Sequence, residues 1–172
     1  MKKVAGRLGN SYFSTDWGIR IIEDSSKKYR AGSYHAGMVW PLYGGWASLA
    51  EYKAGYYNNG YRHIMNNLLQ YRHWAPGSIE ETLNGDIFKP NGVCSHQCWS
   101  ETMILQPAIE GMLGFDADVL NNQLRLSPAF PWDWKFCTVH NIRMGNMKYS
   151  LDMKRSTNST TYTIEAGKAT NL

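Results

Sequence analysis

Two adjacent carboxylates, Glu80 and Glu81, head the stretch Gly77 to Trp99, GSIEETLNGDIFKPNGVCSHQCW. Turn-forming residues follow them: Asn84, Gly85, Asp86, Pro90, Asn91 and Gly92. A carboxylate on a loop among polar groups can protonate a leaving oxygen or take a proton from water. Those are the roles of the acid and base residues that break glycosidic bonds. The same pair is equally consistent with a solvated surface loop, since glutamates are common on surfaces.

A second group of reactive side chains lies in the same stretch, Cys94, His96 and Cys98. The spacing C-x-H-x-C lacks a fourth ligand at a recognisable distance, so no metal site is expected and the thiols read as incidental. With Cys137 the cysteines number three, an odd count that gives no disulfide framework. No cofactor is expected.

Aromatic residues make up 13% of the 172-residue chain, with seven Trp and eleven Tyr. Their faces can stack on the apolar face of a pyranose or fill a core of large residues. The net charge is +4, and Lys and Arg are scattered apart from Lys2-Lys3 and Lys27-Lys28-Tyr29-Arg30. A nucleic-acid surface calls for a denser positive stripe, so no nucleic-acid partner is expected. No apolar run reaches membrane-spanning length, and Met1-Lys2-Lys3 is not followed by the apolar core of a signal peptide. The expectation is no membrane contact and a cytoplasmic setting.

The elements that would position these residues follow from periodicity. A polar lead-in runs from Met1 to about Tyr34, in which Trp17 reads more readily as packing than as a sugar contact. Pro41 suits the first turn of a helix over 41–55, with apolar residues near a 3.6-residue period and Gly55 at its end. Gly44-Gly45 within it would admit close approach of another backbone or of a ligand. A second helix is expected over 59–73, with Ile64, Leu68 and Tyr71 on one face. A third is expected over 95–113, with Ser95 as N-cap and Pro107 kinking or restarting it. Beyond Asp118 the texture changes to strand-like runs at 123–127, 136–144, 147–154 and 160–165, with Gly145-Asn146 placed as a hairpin turn.

Several of these stretches also resemble a known family. GSIEETLNGD followed by GVCSHQCWSETMIL resembles the PE-x-x-x-G … SHQ-x-WS block of the amylo-α-1,6-glucosidase and glycogen-debranching-like glycosidases, which are glucoamylase-type six-hairpin enzymes. STDWGIR (Ser14 to Arg20) and SYHAGMVWPLYGGWASLAEYKAG (Ser33 to Gly55) match upstream blocks in the family's order. QLRLSPAFPWDW (Gln123 to Trp134) and HNIRMGN (His140 to Asn146) match its closing segment. The resemblance spans roughly residues 14–155. It implies Glu81 as general base, with its neighbour Glu80 as the alternative, and His35, Trp40, Trp46, Trp99 and His96 as substrate contacts. For Trp46 and Trp99, both on expected helices, core packing is the competing role.

The resemblance implies a mainly α chain: the C-terminal portion of an (α/α)6 toroid over 1–118, then a small antiparallel β unit over 119–172. Twelve helices of about twelve residues with loops of about five need on the order of 200 residues, so the toroid would be incomplete. The general acid and the remaining hairpins would come from elsewhere in the same polypeptide, and the chain alone would be inactive. The apolar faces carrying Leu49, Ile64, Leu68, Met103 and Leu105 would then lack partners, favouring self-association. The expected substrate is an α-glucosidic oligosaccharide or polysaccharide of the glycogen or maltooligosaccharide type, hydrolysed with inversion. Two other classes stay open: a non-catalytic carbohydrate-binding or scaffold module, and a different sugar-active enzyme on the same helical toroid.

Overall fold

Pro41 begins a helix because its missing N–H is one that a first helical turn leaves unpaired anyway. The structure, a computed structural model describing residues 2–168, has this helix, α2, over Pro41–Ala54. Trp40 precedes it in extended conformation, and Gly55 stops it in the left-handed region at φ 86°, its N–H reaching the Glu51 and Tyr52 carbonyls. Only Gly55 and Tyr56 separate α2 from α3, Tyr57–Leu69, which tightens into a 3-10 turn over Gln70–Arg72. The two helices pack against one another. A Cβ at Gly60 would lie 2.6 Å from the Tyr52 ring, and Ser48 Oγ donates to the Gly60 carbonyl at 2.7 Å. Gly44 and Gly45 do admit close neighbours, but these are side chains, Asn67 and Met103.

Helix α4 spans Cys98–Gln106 and follows Gln97 rather than Ser95; no side chain caps it. As expected, the α-helix gives way directly before Pro107, and the helix continues from there in another form. The chain widens into a π-helical turn over Pro107–Met112, which accommodates a residue that cannot donate to the ladder. A short helix that the polar lead-in did not suggest, α1 (Lys2–Leu8), packs on α2 and buries Ala5.

Five strands complete the regular structure of the C-terminal region. β3 (Phe115–Asp118) and β4 (Gln123–Leu126) form a hairpin; β5 (Phe136–Met144), β6 (Met147–Arg155) and β7 (Thr160–Lys168) form a meander. Met144 pairs with Met147 across the Gly145-Asn146 turn. Leu113, Phe130, Ile142, Leu151 and Met153 form the buried cluster beneath these sheets. In the N-terminal region, Ser14–Thr15 and Gly18–Ile19 (β1 and β2) make a third, very short sheet.

These elements overturn the expectation of a mainly α chain built as part of a toroid. The described residues are 31% helical and 26% strand, in four α-helices and three small antiparallel sheets, which is a mixed α/β protein. The physical reason lies in the long irregular segments 20–40 and 73–97. A toroid would require helices there. They are instead held by turns and by single bridges, Arg20 to Val39, Val39 to Leu83 and Leu83 to Pro90. The apolar faces also differ from expectation in part: Ile64 and Met103 are buried, while Leu68 and Leu105 remain exposed and Leu49 is half-buried.

Candidate functional site

The carboxylate pair lies on a segment far more buried than a surface loop. Ile79, Glu80, Glu81, Thr82 and Leu83 are all buried, Glu80 at 4% and Glu81 at 6% exposure. Such burial is unusual for carboxylates and requires local backbone support. Leu83 exchanges both backbone bonds with Val39, each 2.9 Å. On the other side the Glu81 N–H donates to Cys94 O at 2.8 Å and the Gln97 N–H to Ile79 O at 3.0 Å. Two residues of the Ser14–Arg20 stretch hold the end of the segment. Trp17 Nε1 donates to Asn84 O at 2.9 Å and Arg20 Nε to Gly85 O at 2.9 Å. Arg20 also pairs with Asp24 at 3.3 Å and lies over the Tyr29 ring, whose hydroxyl donates to Asp86 at 2.6 Å. Burial first, and the Asp86 bond next, push the Tyr29 hydroxyl up to about 12, so it remains a donor.

The two carboxylates have different surroundings. Burial raises the Glu80 carboxyl above its ordinary value, which favours its neutral form, and its N–H donates to Gln70 Oε1 at 3.3 Å. Glu81 Oε1 instead accepts a short hydrogen bond from the Tyr34 hydroxyl. That bond, followed by burial, pushes Tyr34 up to about 12, so the proton stays on the phenol and Glu81 is the acceptor.

From Tyr34 a row of rings leads to α2. Tyr34 meets Trp40 edge-on at 4.5 Å, Trp40 meets Tyr43 at 5.6 Å, and Tyr43 meets Trp46 at 5.4 Å. The i, i+3 spacing of Trp40, Tyr43 and Trp46 keeps them neighbours at the helix start. Trp40 is buried, with Nε1 donating to Tyr34 O at 3.1 Å, so its ring backs Tyr34 rather than offering a face to a ligand. Tyr43 and Trp46 are exposed and, with Phe13 and Arg20, line a cavity of about 220 Å³.

Of the residues expected at the site, Glu81, His35 and Trp40 are brought together around Tyr34; His35 is exposed and its ring lies 4.7 Å from that of Tyr34. Trp46 lies at the far end of the aromatic row. His96 and Trp99 stand at the entry to α4, both exposed, with His96 Nδ1 2.7 Å from Glu101 and 3.1 Å from Ser78 Oγ. Cys94 Sγ donates to the His96 carbonyl at 3.4 Å, and no group of three His, Cys, Asp or Glu side chains among the described residues could hold a metal ion. Tyr34 escaped notice in the sequence although it directly precedes His35 in a family-like block.

Sequence reading also missed a buried chain of side chains. Ser14 Oγ lies 2.9 Å from His63 Nε2, and His63 Nδ1 lies 2.7 Å from Glu51 Oε2. The order Ser–His–Glu suggests a nucleophilic triad, but the connectivity speaks against one. The Ser14 hydroxyl donates to Leu8 O at 2.8 Å, so the His63 Nε2 proton is directed at Ser14 instead of Nε2 serving as a base. All three groups are buried, and the network ties the N-terminal segment to α2 and α3. It is a structural polar core.

No helix among the described residues is long and apolar enough to cross a membrane. No protein-family model matches the chain, and no curated protein matches it either.

Proposed function

We propose that the chain carries the general-base side of a glycoside hydrolase acting by inversion on α-glucosidic oligosaccharides. Glu81 is the base. In such a reaction the carboxylate takes a proton from water as the water attacks the anomeric carbon, while an acid on the opposite face protonates the leaving oxygen. The two carboxyl groups stand about 6.5–9.5 Å apart to admit the water. Glu80 is not assigned the acid, because as the immediate neighbour of Glu81 it is held on the same short backbone segment. The reading therefore assigns the acid to another segment of the polypeptide, which would also cover the exposed Leu105 and Ile109 of the α4 region.

The observation that supports this reading is the buried Glu81 carboxylate, fixed by the Tyr34 phenol at the foot of an aromatic row. The phenol orients one carboxylate oxygen. Exposed Tyr43, Trp46 and His35 offer ring faces and a hydrogen-bonding edge to successive sugars.

The test is hydrolysis of maltooligosaccharides and aryl α-glucosides by the whole polypeptide and by the 172-residue chain alone. Glu81→Gln is expected to lower kcat about 10²–10⁴-fold in the whole polypeptide. Azide is expected to restore turnover to Glu81→Ala and yield the β-glycosyl azide. The isolated chain is expected to be inactive. Unchanged kcat in Glu81→Gln overturns Glu81 as the base, and hydrolysis by the isolated chain that Glu81→Gln removes overturns the placing of the acid in another segment.

A further inference from the structure

Two concavities open well away in sequence from Glu81, where the start of α3 meets the β unit. One, of about 440 Å³, is lined by Tyr56, Tyr57, Asn58 and Trp132; the other, of about 520 Å³, by Tyr57, Asn58, Trp132, Arg155 and Tyr162. They share Tyr57, Asn58 and Trp132, so they form one continuous cleft of a size suited to a small-molecule ligand.

Trp132 is 77% exposed, an unfavourable position for the largest apolar side chain. Its backbone is nevertheless firmly held. Arg155 Nη1 donates to both Pro131 O and Trp132 O at 2.6 Å, and its guanidinium lies over the indole at 6.0 Å. Arg155 Nε reaches Thr160 Oγ1 at 3.2 Å, and the Arg155 N–H donates to Lys135 O at 2.7 Å. An exposed ring held in this way loses little conformational freedom when a ligand stacks on it. Tyr57 and Tyr162, also exposed, add two further ring faces, and Asn58 adds a planar amide.

We infer that this cleft is a second carbohydrate-binding site, which takes a neutral oligosaccharide on Trp132, Tyr57 and Tyr162. The inference takes the class of ligand from the glycosidase reading above, but it does not involve Glu81. Aromatic platforms could also stack nucleobases, but a polyanion needs free cations. Among the described residues, Arg155 is the one charged residue lining the cleft, and the donors named above are committed to the protein's own oxygens. A peptide adding itself to a sheet would use backbone groups, whereas this cleft is built from ring faces and amides. An uncharged, hydroxyl-rich ligand with apolar ring faces matches the lining.

The experiment is calorimetric titration of the Glu81→Gln protein, in which any turnover is expected to be too slow to consume the ligand, with maltohexaose, isomaltohexaose, cellohexaose and oligo-dT. At least one hexasaccharide is expected to bind and oligo-dT is not. Trp132→Ala should weaken that binding at least tenfold, Tyr162→Ala less, and Trp132→Phe by no more than about threefold. Unchanged thermal unfolding in these exposed-site variants keeps the comparison one of binding. Equal affinity in Trp132→Ala, failure of all three hexasaccharides to bind, or binding of oligo-dT alone overturns the inference. Trp132-dependent binding in a protein with no Glu81-dependent hydrolysis sinks only the proposed reaction; Glu81-dependent hydrolysis with Trp132-independent binding sinks only the second site.

Discussion

The N-terminal hundred residues bury apolar and polar side chains together, among them Val39, Ile64, Ile79 and Leu83, whereas the interior of the β unit is apolar. All twelve buried polar or charged residues among those described fall between Ser14 and Ser100, including Glu51, His63, Asn67, Gln70, Glu80 and Glu81. The β unit is held by an apolar cluster around Leu151 and Met153, and its outer strand β7 is exposed throughout. Buried polar groups cost free energy unless each finds a partner, so the helical region depends on connectivity as well as on apolar volume, and the β unit on volume alone. The two proposals above fall on either side of this contrast, one on a buried carboxylate and the other on exposed rings.

The largest test of that contrast is His63→Ala. Removing the partner of buried Glu51 is expected to cost about 3–5 kcal/mol in denaturant unfolding. A cost below about 1 kcal/mol would show that the helical region does not rely on its polar connections. Leu151→Ala, at a site 1% exposed, is expected to cost about 3 kcal/mol by leaving a cavity. Hydrogen exchange should then quicken in β5 and β6 before it does in α2 and α3. Simultaneous loss of protection would mean that the two regions do not unfold separately.

Tyr34→Phe removes only the donor to Glu81. On the proposed reaction, about tenfold lower kcat with KM nearly unchanged is expected, since one charge-assisted bond is lost while the ring stays. A change in KM alone would make Tyr34 a binding residue.

The smallest effect is expected at Glu80. Burial lifts its carboxyl above 4.5, so the folded chain holds that proton more tightly than the unfolded chain. The folded state gains from this in acid and loses the gain as pH rises through the raised value. Glu80→Gln should therefore raise Tm by about 2 °C at neutral pH and by less below pH 4.5. A larger gain in acid would reverse the assignment.

Much of the regular structure was legible in the sequence. Pro41 and Gly55 bracket α2, periodicity marks α3, and Gly145-Asn146 marks the β5–β6 turn. Helix α1 was not legible because seven residues carry little periodic signal and the helix rests on packing against α2. The toroid expectation failed because matching short blocks says nothing of how the chain between them pairs. At the site, Glu81 was legible as a carboxylate in a loop, but its burial was not. That burial depends on Val39, Cys94 and Trp17, and no local pattern reports a bond such as Trp17 to Asn84 across 67 residues.

The fastening of the Ile79–Leu83 segment has a consequence for synthesis. Trp17, Arg20, Tyr34 and Val39, which receive it, all emerge from a ribosome before Glu81 does, and only the return stretch through Cys94 and Gln97 follows. The segment therefore closes onto residues that have already been synthesised. A carboxylate delivered late spends little time as an unpartnered charge in a collapsing chain, and an N-terminal lesion near Trp17 would strand it well before any chemistry is attempted.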